Sequence, residues 1–426
     1  MALSTPSAPR GPAAMTLRAT TPVATAPAAT TFVATRLVAT RLVATALGVL
    51  LLAGCTDAPE GGAGRAATPV VSSEPGSGTP GGEARVTVET VATGLDVPWA
   101  LAPLEDGRLV ISQRPGTLVV VDPDDGSVTS VVGEGADQLA DETRPEGEAG
   151  LLGIALAPAS DTGHELFLYR TGDDANAVLR GRLDVSDVPT LGPLTSVLDG
   201  IPKAANHDGG RLAFGPDGHL YVTTGDAARP DRAQDDASLA GKILRVTTDG
   251  APAPGNPDPG SPVWSLGHRN PQGIGWTPGP DPVMVAAEFG QNTWDELNVI
   301  EPGENYGWPE VEGVGDRSGF VDPIVTWSTD EASPSGLAVS DDAVYVASLR
   351  GERLWRVAWS DDGGFVVGTP QPLLTGEHGR LRAVAVDATD PTDRTLWVLT
   401  NNTDGRGDPA PDDDRLLRVV VDGGAR

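Results

Sequence analysis

The chain has 426 residues, of which 54 are glycine and 38 are proline, and aromatic residues make up only 4%. This composition is typical of many short strands joined by tight turns, and the length fits either two or three ordinary domains or one large all-β unit. Asp and Glu outnumber Lys and Arg by 59 to 30, which gives a formal net charge of -29. Such an excess of negative charge argues against binding to nucleic acid or to the surface of an anionic membrane.

The first 55 residues have the features of an export signal. An apolar run, ALGVLLLAGC, follows Arg36 and Arg41 and ends at Cys55, the only cysteine, so no internal disulfide can form. The run is too short for a comfortable membrane-spanning helix. Its last four residues, LAGC, resemble the lipobox of bacterial lipoproteins, in which the cysteine is lipidated. We therefore expect residues 1–55 to be a signal peptide and the mature chain to lie outside the cytoplasm, held to the cell membrane only through lipid on Cys55.

Residues 56–85 are rich in Gly, Pro and Ser and show no apolar periodicity, which predicts a flexible tether. The tether contains GSGTPG, which fits the dinucleotide-binding pattern G-x-G-x-x-G. It neither follows a predicted strand nor begins a predicted helix, so it predicts no nucleotide site.

From Val86 onward, short runs of β-branched, aromatic and other apolar residues recur, each after a turn signal. Examples are EDGRLVISQ, PDGHLYVTTGD, DDAVYVASL and DRTLWVLT. Such runs predict an antiparallel meander. We expect residues 86–426 to form an all-β domain, a six-bladed β-propeller whose four-stranded antiparallel blades have about 55 residues each. A large two-sheet sandwich is the competing architecture.

One of the five histidines, His207, lies in the stretch NHDGG, residues 206–210. One ring nitrogen of such a histidine can be oriented by a neighbour while the other faces a cavity. The two glycines would let the backbone approach a flat ligand. The same five residues also fit a simple turn in which the histidine makes only local hydrogen bonds.

Two further sets of polar residues lie near predicted strand ends. The stretch 288–309 is rich in side-chain oxygens without the spacing of an EF-hand, and the chain offers no paired His and Cys set for zinc. It therefore favours calcium, although a solvated acidic loop would look similar. Three arginines, Arg350, Arg380 and Arg382, suit a small polyanion, with ordinary surface salt bridges as the alternative.

Several motifs occur in a fixed order: GEAGLLG, NHDGGRLAFGPDG, GHRNPQG, NYGWP and GRLRAV. On these motifs the chain, from about residue 94 to its end, resembles the soluble quinoprotein glucose/sorbosone dehydrogenase family, which includes periplasmic aldose sugar dehydrogenases. The resemblance implies a six-bladed propeller that binds pyrroloquinoline quinone (PQQ) and calcium. It also implies a small sugar substrate. This substrate is either an aldose, which is oxidised at its C1 hydroxyl to a lactone, or a related sugar aldehyde. The motifs specify neither the electron acceptor nor the oligomeric state.

The resemblance also implies roles for individual residues. His207 matches the catalytic base, which takes the sugar hydroxyl proton while hydride passes to the quinone. Arg269 matches a residue that lies along the quinone and stabilises negative charge on it. The other positions that match cofactor-binding residues are Glu148, Asn206, Asn270, Arg350, Arg380 and Arg382.

For the metal, the resemblance implies two calcium ions. The carbonyls of Gly290 and Gln291 would bind the ion that polarises the quinone. Glu296 and the carbonyl of Tyr306 would hold a second, structural ion.

Some of these positions differ from the best-known family members. Glu148 stands in place of glutamine, Asn206 in place of aspartate, Gln291 in place of proline and Arg350 in place of lysine. A carboxylate at position 148 would repel an anionic cofactor unless it is protonated or paired.

Two other functions are compatible with a propeller of this composition. A calcium-dependent hydrolase such as a lactonase would need an acidic metal ring at the axis and would have no use for several arginines. A non-catalytic carbohydrate- or protein-binding propeller is the second alternative, because Glu148 and Asn206 depart from the family pattern.

Overall fold

The computed structural model of the chain describes residues 84–158, 163–361 and 365–422. The predicted signal peptide, the lipobox with Cys55 and nearly all of the predicted tether lie outside these described residues. The first strand, β1 (Arg85–Ala92), begins at Arg85, which is the last residue of the predicted tether. Over the part of the chain that the structure describes, no helix has the length and apolar character needed to cross a membrane.

The described residues form six antiparallel sheets, here called blades 1 to 6. Blade 1 contains β2 (Pro98–Pro103), β3 (Leu109–Gln113), β4 (Thr117–Val121) and β5 (Val128–Ser130). The helix α1 (Glu134–Glu142) follows it. Blade 2 contains β6 (Leu151–Leu156), β7 (His164–Thr171), β8 (Asn176–Asp184), β9 (Thr190–Leu191) and β10 (Thr195–Ile201). Blade 3 contains β11 (Leu212–Phe214), β12 (Leu220–Thr224), a short 3-10 helix (Pro230–Gln234), β13 (Lys242–Val246) and β14 (Val263–Leu266).

The remaining strands complete the ring. Blade 4 contains β15 (Pro271–Trp276), β16 (Met284–Glu288), β17 (Trp294–Val299) and β18 (Val325–Ser328). Blade 5 contains β19 (Pro334–Val339), β20 (Ala343–Ser348), β21 (Arg353–Ser360), β22 (Val366–Val367) and β23 (Gln371–Leu373). Blade 6 contains β24 (Leu381–Val386), β25 (Thr395–Thr400), β26 (Leu416–Asp422) and the N-terminal strand β1. The predicted six-bladed propeller of four-stranded blades is confirmed, and blades 2 and 5 each carry an additional short strand.

Blade 6 joins the two ends of the propeller. Strand β1 pairs antiparallel with β26, from Arg85 opposite Asp422 to Ala92 opposite Leu416. The last blade is therefore incomplete until the N-terminal strand adds to it. This pairing closes the ring by main-chain hydrogen bonds and satisfies an edge that would otherwise be open.

Apolar side chains fill the spaces between neighbouring blades. Phe167 of blade 2 meets Phe214 of blade 3 edge-on, with ring centroids 5.2 Å apart. Trp327 of blade 4 stacks on Trp355 of blade 5 at 5.7 Å, and both are buried. Each such pair contributes about 0.5–1.5 kcal/mol beyond the burial of its area. The core is thus distributed around the ring instead of lying at one centre.

The topology brings distant segments of the chain to one end of the axis. The first strand of each blade contacts the first strands of both neighbouring blades, so these six strands surround the axis. Strand direction alternates within a blade, so the segment that enters the first strand and the segment that joins the second and third strands lie at the same end. Most of the predicted site residues fall in these two kinds of segment.

Candidate active site

A cavity of about 700 Å³ lies at this end of the propeller, and we call it the axial cavity. Its volume is in the range of sites for small molecules and cofactors. The predicted site residues that line it are Glu148, Asn206, His207, Arg269, Asn270, Gly290, Gln291, Arg350 and Arg380. The other charged residues that line it are Asp295, Asp330 and Arg406.

His207 is fixed by a carboxylate from the neighbouring segment of blade 3. Its Nδ1 lies 2.8 Å from Oδ1 of Asp226, and the Asp226 side chain is completely buried while His207 is 13% exposed. A carboxylate only accepts hydrogen bonds, so in the neutral ring Nδ1 carries the proton and Nε2 presents its lone pair. Among the described residues, none hydrogen-bonds Nε2. The ring therefore offers a proton acceptor to the axial cavity.

Asp226 was not identified from the sequence. Its other oxygen, Oδ2, accepts a hydrogen bond of 2.9 Å from Nε1 of Trp308, the tryptophan of the NYGWP motif. Its backbone N–H donates to the carbonyl of Arg269 at 2.8 Å. The available signal was its position, because Asp226 closes the run VTTGD at the end of a strand that points toward the His207 loop.

The segment that follows Asp226 is held by a buried lysine that the sequence analysis also missed. Nζ of Lys242 donates to the carbonyls of Arg232, Ala233 and Ala240 at 2.8, 3.1 and 2.8 Å. Burial lowers the pKa of Lys242 to about 8. Three carbonyl acceptors offset part of the cost of burying the ammonium group, and together they fix the return of the chain to β13.

The glycines of NHDGG serve the packing of the backbone. Gly209 has a φ of +64°, and a Cβ there would lie 2.6 Å from Cα of Thr224. A Cβ on Gly225 would overlap the carbonyl of His207. The expectation that Gly209 and Gly210 let the backbone approach a flat ligand is wrong, because both pack against protein and neither lines the axial cavity.

His207 itself has a φ of 61°, in the left-handed region that non-glycine residues seldom adopt. The strained backbone is held from both sides. Its N–H donates to Oε2 of Glu148 at 3.2 Å, and its carbonyl accepts from the N–H of Ala227 at 3.1 Å. The Asn270 side chain fixes the same loop by accepting the N–H of Gly209 at 3.0 Å. This conformation places the imidazole at the cavity wall.

Arg269 and Asn270 are positioned by Glu288 at the end of β16. Oε1 of Glu288 accepts the backbone N–H of Arg269 and, at 3.2 Å, that of Asn270. Oε2 lies 2.8 Å from Nδ1 of His268. His268 is completely buried and its Nε2 bonds Oγ of Ser265 at 2.9 Å, so it faces the protein interior.

The Arg269 side chain lies along the wall of the axial cavity. Its Nε donates to Oε1 of Gln291 at 2.9 Å, and its guanidinium lies 5.5 Å from the ring centroid of Trp308. Burial lowers its pKa from the ordinary value, while the nearby carboxylate of Asp226 opposes the shift. A guanidinium in this position can stabilise negative charge in the cavity.

The three predicted anion-binding arginines occupy different environments. Arg350 pairs with Asp330 at the exposed edge of the axial cavity. Arg380 lines the cavity and pairs with the buried Asp404 at 2.9 Å, and no described residue hydrogen-bonds its Nε. Arg382 does not line the cavity, because it is the second residue of β24 and is buried beneath it.

Arg382 is enclosed by polar groups of blades 4 and 6. Its Nη1 donates to Oε1 of Gln272 at 2.9 Å and its Nη2 to Oδ1 of Asn401 at 3.2 Å. Burial lowers its pKa to about 9. Its Nε is buried and has no hydrogen-bond partner within the described part of the chain.

Glu148 forms an ion pair with an arginine. Its Oε1 lies 2.7 Å from Nη1 of Arg406. Burial by itself raises the pKa of Glu148, but the Arg406 guanidinium and the backbone N–H of His207 together hold the pKa below the ordinary value. Arg406 lies on the segment that joins β25 and β26, and the sequence analysis did not identify it.

Backbone oxygens are available at the predicted calcium position. Oε1 of Glu312 accepts four successive backbone N–H groups, and Oδ1 of Asp295 accepts that of Gly290 at 2.8 Å. Among the described residues, the carbonyls of Gly290 and Gln291 accept no hydrogen bond. These oxygens are hard donors of the kind that calcium prefers.

Glu296 and Tyr306 line a second, very small cavity together with Glu288. The carboxylate of Glu296 accepts from the backbone N–H of Gly313 at 2.7 Å and from Nδ2 of Asn298 at 3.1 Å. Burial, together with the charge of Glu288, raises the pKa of Glu296, which favours its neutral form when no cation is near.

Oδ1 of Asn298 is buried next to Glu296, and none of the described residues hydrogen-bonds it, so this oxygen is available as a metal ligand. The described residues contain no group of three or more His, Cys, Asp and Glu side chains arranged to hold a metal ion. A metal site here would therefore have to use backbone and amide oxygens as well as carboxylates.

The sequence profile of the family described as Glucose / Sorbosone dehydrogenase matches residues 95–418. Aldose sugar dehydrogenase YliI of Escherichia coli is 30% identical over 366 residues, which cover 76% of this chain and 92% of that protein. Quinoprotein glucose dehydrogenase B of Acinetobacter calcoaceticus is 31% identical over 267 residues, 55% of this chain and 54% of that protein.

Among solved structures, the PQQ-bound form of Aldose Sugar Dehydrogenase from Streptomyces coelicolor aligns with a TM-score of 0.73 and 49% identity. The alignment covers 79% of this chain and 99% of that one. Because the profile spans the six blades and the segments that form the axial cavity, the chain belongs to the Glucose / Sorbosone dehydrogenase family.

Proposed function

We propose that this protein is a PQQ- and calcium-dependent sugar dehydrogenase. Its substrate would be an aldose, whose C1 hydroxyl is oxidised to give the lactone, or a related sugar aldehyde. The main supporting observation is the His207 geometry: Nδ1 is bound to the buried Asp226 and Nε2 faces a cavity. The relatives add support, since two of them are named as an aldose sugar dehydrogenase and a quinoprotein glucose dehydrogenase.

The residues of the axial cavity fit a flat anionic cofactor. Arg380, which lines the cavity, has a buried Nε without a hydrogen-bond partner among the described residues, and such a donor needs an acceptor. In the proposed complex Arg350 and Arg380 would hold carboxylates, and Arg269 and Asn270 would lie along the quinone ring. PQQ, when bound, supplies the two-electron oxidant for the C1–H bond of the sugar.

The protein contributes the proton acceptor and the orientation. Nε2 of His207 takes the proton of the sugar hydroxyl, and the Asp226 carboxylate stabilises the imidazolium that forms. Trp308 fixes the second oxygen of Asp226, so the carboxylate keeps its orientation during proton transfer. The Arg269 guanidinium would stabilise negative charge that develops in the cavity.

Calcium is proposed at two places: at the carbonyls of Gly290 and Gln291, and at Glu296 with the carbonyl of Tyr306. Because an ion that binds only the native state stabilises it, chelation is expected to lower the unfolding midpoint by roughly 5 °C. Glu296→Ala is expected to weaken the recovery of the midpoint when calcium is added back. A midpoint that does not respond to chelator in the wild-type protein would contradict the calcium proposal.

Reconstitution tests the proposed activity. Purified apoprotein would be mixed with PQQ and calcium, and the reduction of an artificial electron acceptor would be measured with a panel of aldoses. Sugar-dependent reduction that requires both PQQ and calcium supports the proposal. Lactone hydrolysis without acceptor reduction would instead favour the hydrolase, and sugar binding without either reaction would favour a non-catalytic propeller.

We also propose that the mature protein is attached to the outer face of the cell membrane through lipid on Cys55. The supporting observation is the apolar run that ends in LAGC. Mass spectrometry of protein purified from cells would detect the lipid mass on an N-terminal Cys55 peptide. An unmodified Cys55 within a longer chain would contradict this localisation.

A further inference from the structure

Glu148 and Arg406 form an ion pair between two segments that are distant in sequence. Glu148 precedes β6 of blade 2, whereas Arg406 lies in the segment that joins β25 to β26 in blade 6. Their side chains are 2.7 Å apart, and the Glu148 side chain is 22% exposed and that of Arg406 55%. Both residues line the axial cavity. The pair therefore determines the charge of one wall of the proposed cofactor site.

The Glu148 carboxylate cannot leave this wall without disturbing the catalytic loop. Its Oε2 accepts the backbone N–H of His207, the residue whose left-handed backbone presents the imidazole. An unpaired carboxylate in this position would repel an anionic ligand across a partly desolvated cavity. Arg406 supplies the compensating positive charge, and the lowered pKa of Glu148 is consistent with a persistent pair.

Arg406 is held in place by its own segment. Its backbone N–H donates to Oδ1 of Asp404 at 2.9 Å, while Oδ2 of Asp404 lies 2.9 Å from Arg380. A Cβ on the next residue, Gly407, would lie 2.9 Å from Cδ of Arg380. The turn at residues 404–407 thus packs directly on Arg380, one of the proposed anion-binding arginines, and places the Arg406 side chain next to Glu148.

We propose that Arg406 is an affinity-determining residue of the cofactor site, because it neutralises Glu148 and so makes the wall that Glu148 lines compatible with an anionic cofactor. The inference rests on the proposed PQQ dependence. It also explains how this chain accommodates a carboxylate at the position where glutamine is expected from the family resemblance.

A double-mutant cycle separates neutralisation of Glu148 from direct contact with the cofactor. The readout is the Kd of PQQ for calcium-loaded apoprotein, measured by absorbance and tryptophan-fluorescence titration without substrate. Four proteins are compared: wild type, Arg406→Gln, Glu148→Gln and the double variant. Arg394→Gln is the control, because the Arg394 side chain is 50% exposed, close to the value for Arg406, and pairs with Asp422 at 3.4 Å outside the axial cavity.

Arg406→Gln is expected to weaken PQQ binding by about 10- to 100-fold, since it leaves the Glu148 charge uncompensated. Glu148→Gln is expected to bind PQQ at least as tightly as wild type. The double variant should return to within about threefold of Glu148→Gln, and Arg394→Gln should match wild type. The deficit of Arg406→Gln should also shrink as salt concentration rises, because salt screens the repulsion.

A double variant that binds as weakly as Arg406→Gln would overturn the proposal, since Arg406 would then act by direct contact. Unchanged affinity in Arg406→Gln would overturn it as well. If wild-type protein does not bind PQQ, the proposed function fails and the inference fails with it. Equal unfolding midpoints across the variants show that the Kd differences do not arise from misfolding.

Discussion

Two histidine–carboxylate pairs lie within blades 3 and 4 and have the same local geometry. His207 and His268 each place Nδ1 2.8 Å from a carboxylate oxygen, of Asp226 and Glu288 respectively. The second nitrogen distinguishes them. Nε2 of His268 is bound to Ser265 and its ring stacks on Tyr306 at 4.8 Å, whereas the His207 ring lines the axial cavity.

This difference shows that a paired histidine is not by itself a catalytic base. In the His268 pair both ring nitrogens and both carboxylate oxygens are engaged within the protein, so the pair holds the backbone of Arg269 and Asn270. In the His207 pair one nitrogen is left for a ligand. The environment of the second ring nitrogen therefore decides whether the histidine only holds the backbone or can accept a proton from a ligand.

The strongest test of the comparison is His207→Ala. We expect turnover to fall by about 10²–10⁴-fold, the usual contribution of positioned proton transfer. PQQ binding and the unfolding midpoint should stay close to wild type, because the lost ring lines a cavity and opens no core void. Acceptor reduction at saturating PQQ and calcium measures the effect. Near wild-type turnover under these conditions would show that another group is the base.

Asp226→Asn is expected to lower turnover by roughly 100-fold. The introduced amide can donate to Nδ1, which would place the ring proton on Nε2 and remove the acceptor from the cavity. The comparison is the turnover of Asp226→Asn against that of Asp208→Asn, which changes the carboxylate adjacent to His207 in sequence. If both variants lose the same activity, the spatial pairing with Asp226 has no special role.

His268→Gln should affect stability more than rate. Its ring is completely buried and both nitrogens are hydrogen-bonded, so we expect the free energy of unfolding to fall by about 2 kcal/mol. Turnover should change less than tenfold. Chemical denaturation measures the loss, with His219→Gln in a surface turn as the control. A loss of turnover as large as that of His207→Ala would erase the distinction between the two pairs.

The smallest expected effect concerns Asp208, which follows His207 but points away from its ring. Burial raises the pKa of Asp208 to about 6, and its Oδ1 accepts from Nδ2 of Asn176 at 2.9 Å. The folded protein thus holds this proton more tightly than the unfolded chain, so stability falls as pH rises from the ordinary carboxyl pKa through about 6.

In the wild type, titration of Asp208 should lower the free energy of unfolding by roughly 1 kcal/mol between pH 5 and pH 7. Asp208→Asn should not show this decrease. Unfolding free energies of both proteins at the two pH values measure the difference. Identical pH profiles would show that Asp208 does not titrate in this range.

The sequence predicted the parts of the site that follow from local pattern. Turn signals before alternating apolar runs indicated the strands, and ordered motifs indicated that His207, Arg269, Asn270 and Arg380 lie at strand ends, where the structure brings them to one cavity. The sequence analysis did not predict that Arg382 would be buried beneath the cavity. Its side-chain direction depends on the twist and packing of β24, which alternation alone does not define.

Composition and periodicity determined that the chain forms short antiparallel strands, because hydrophobic alternation and turn chemistry act between near neighbours. The tertiary structure alone decided the partners of the charged residues. Asp226 follows His207 by 19 positions, and Arg406 follows Glu148 by 258. The Glu148–Arg406 pair forms only when ring closure brings blades 2 and 6 to one axis, and the His207–Asp226 pair forms only when blade 3 folds. Electrostatic contact depends on distance in space and leaves no periodic trace in the sequence.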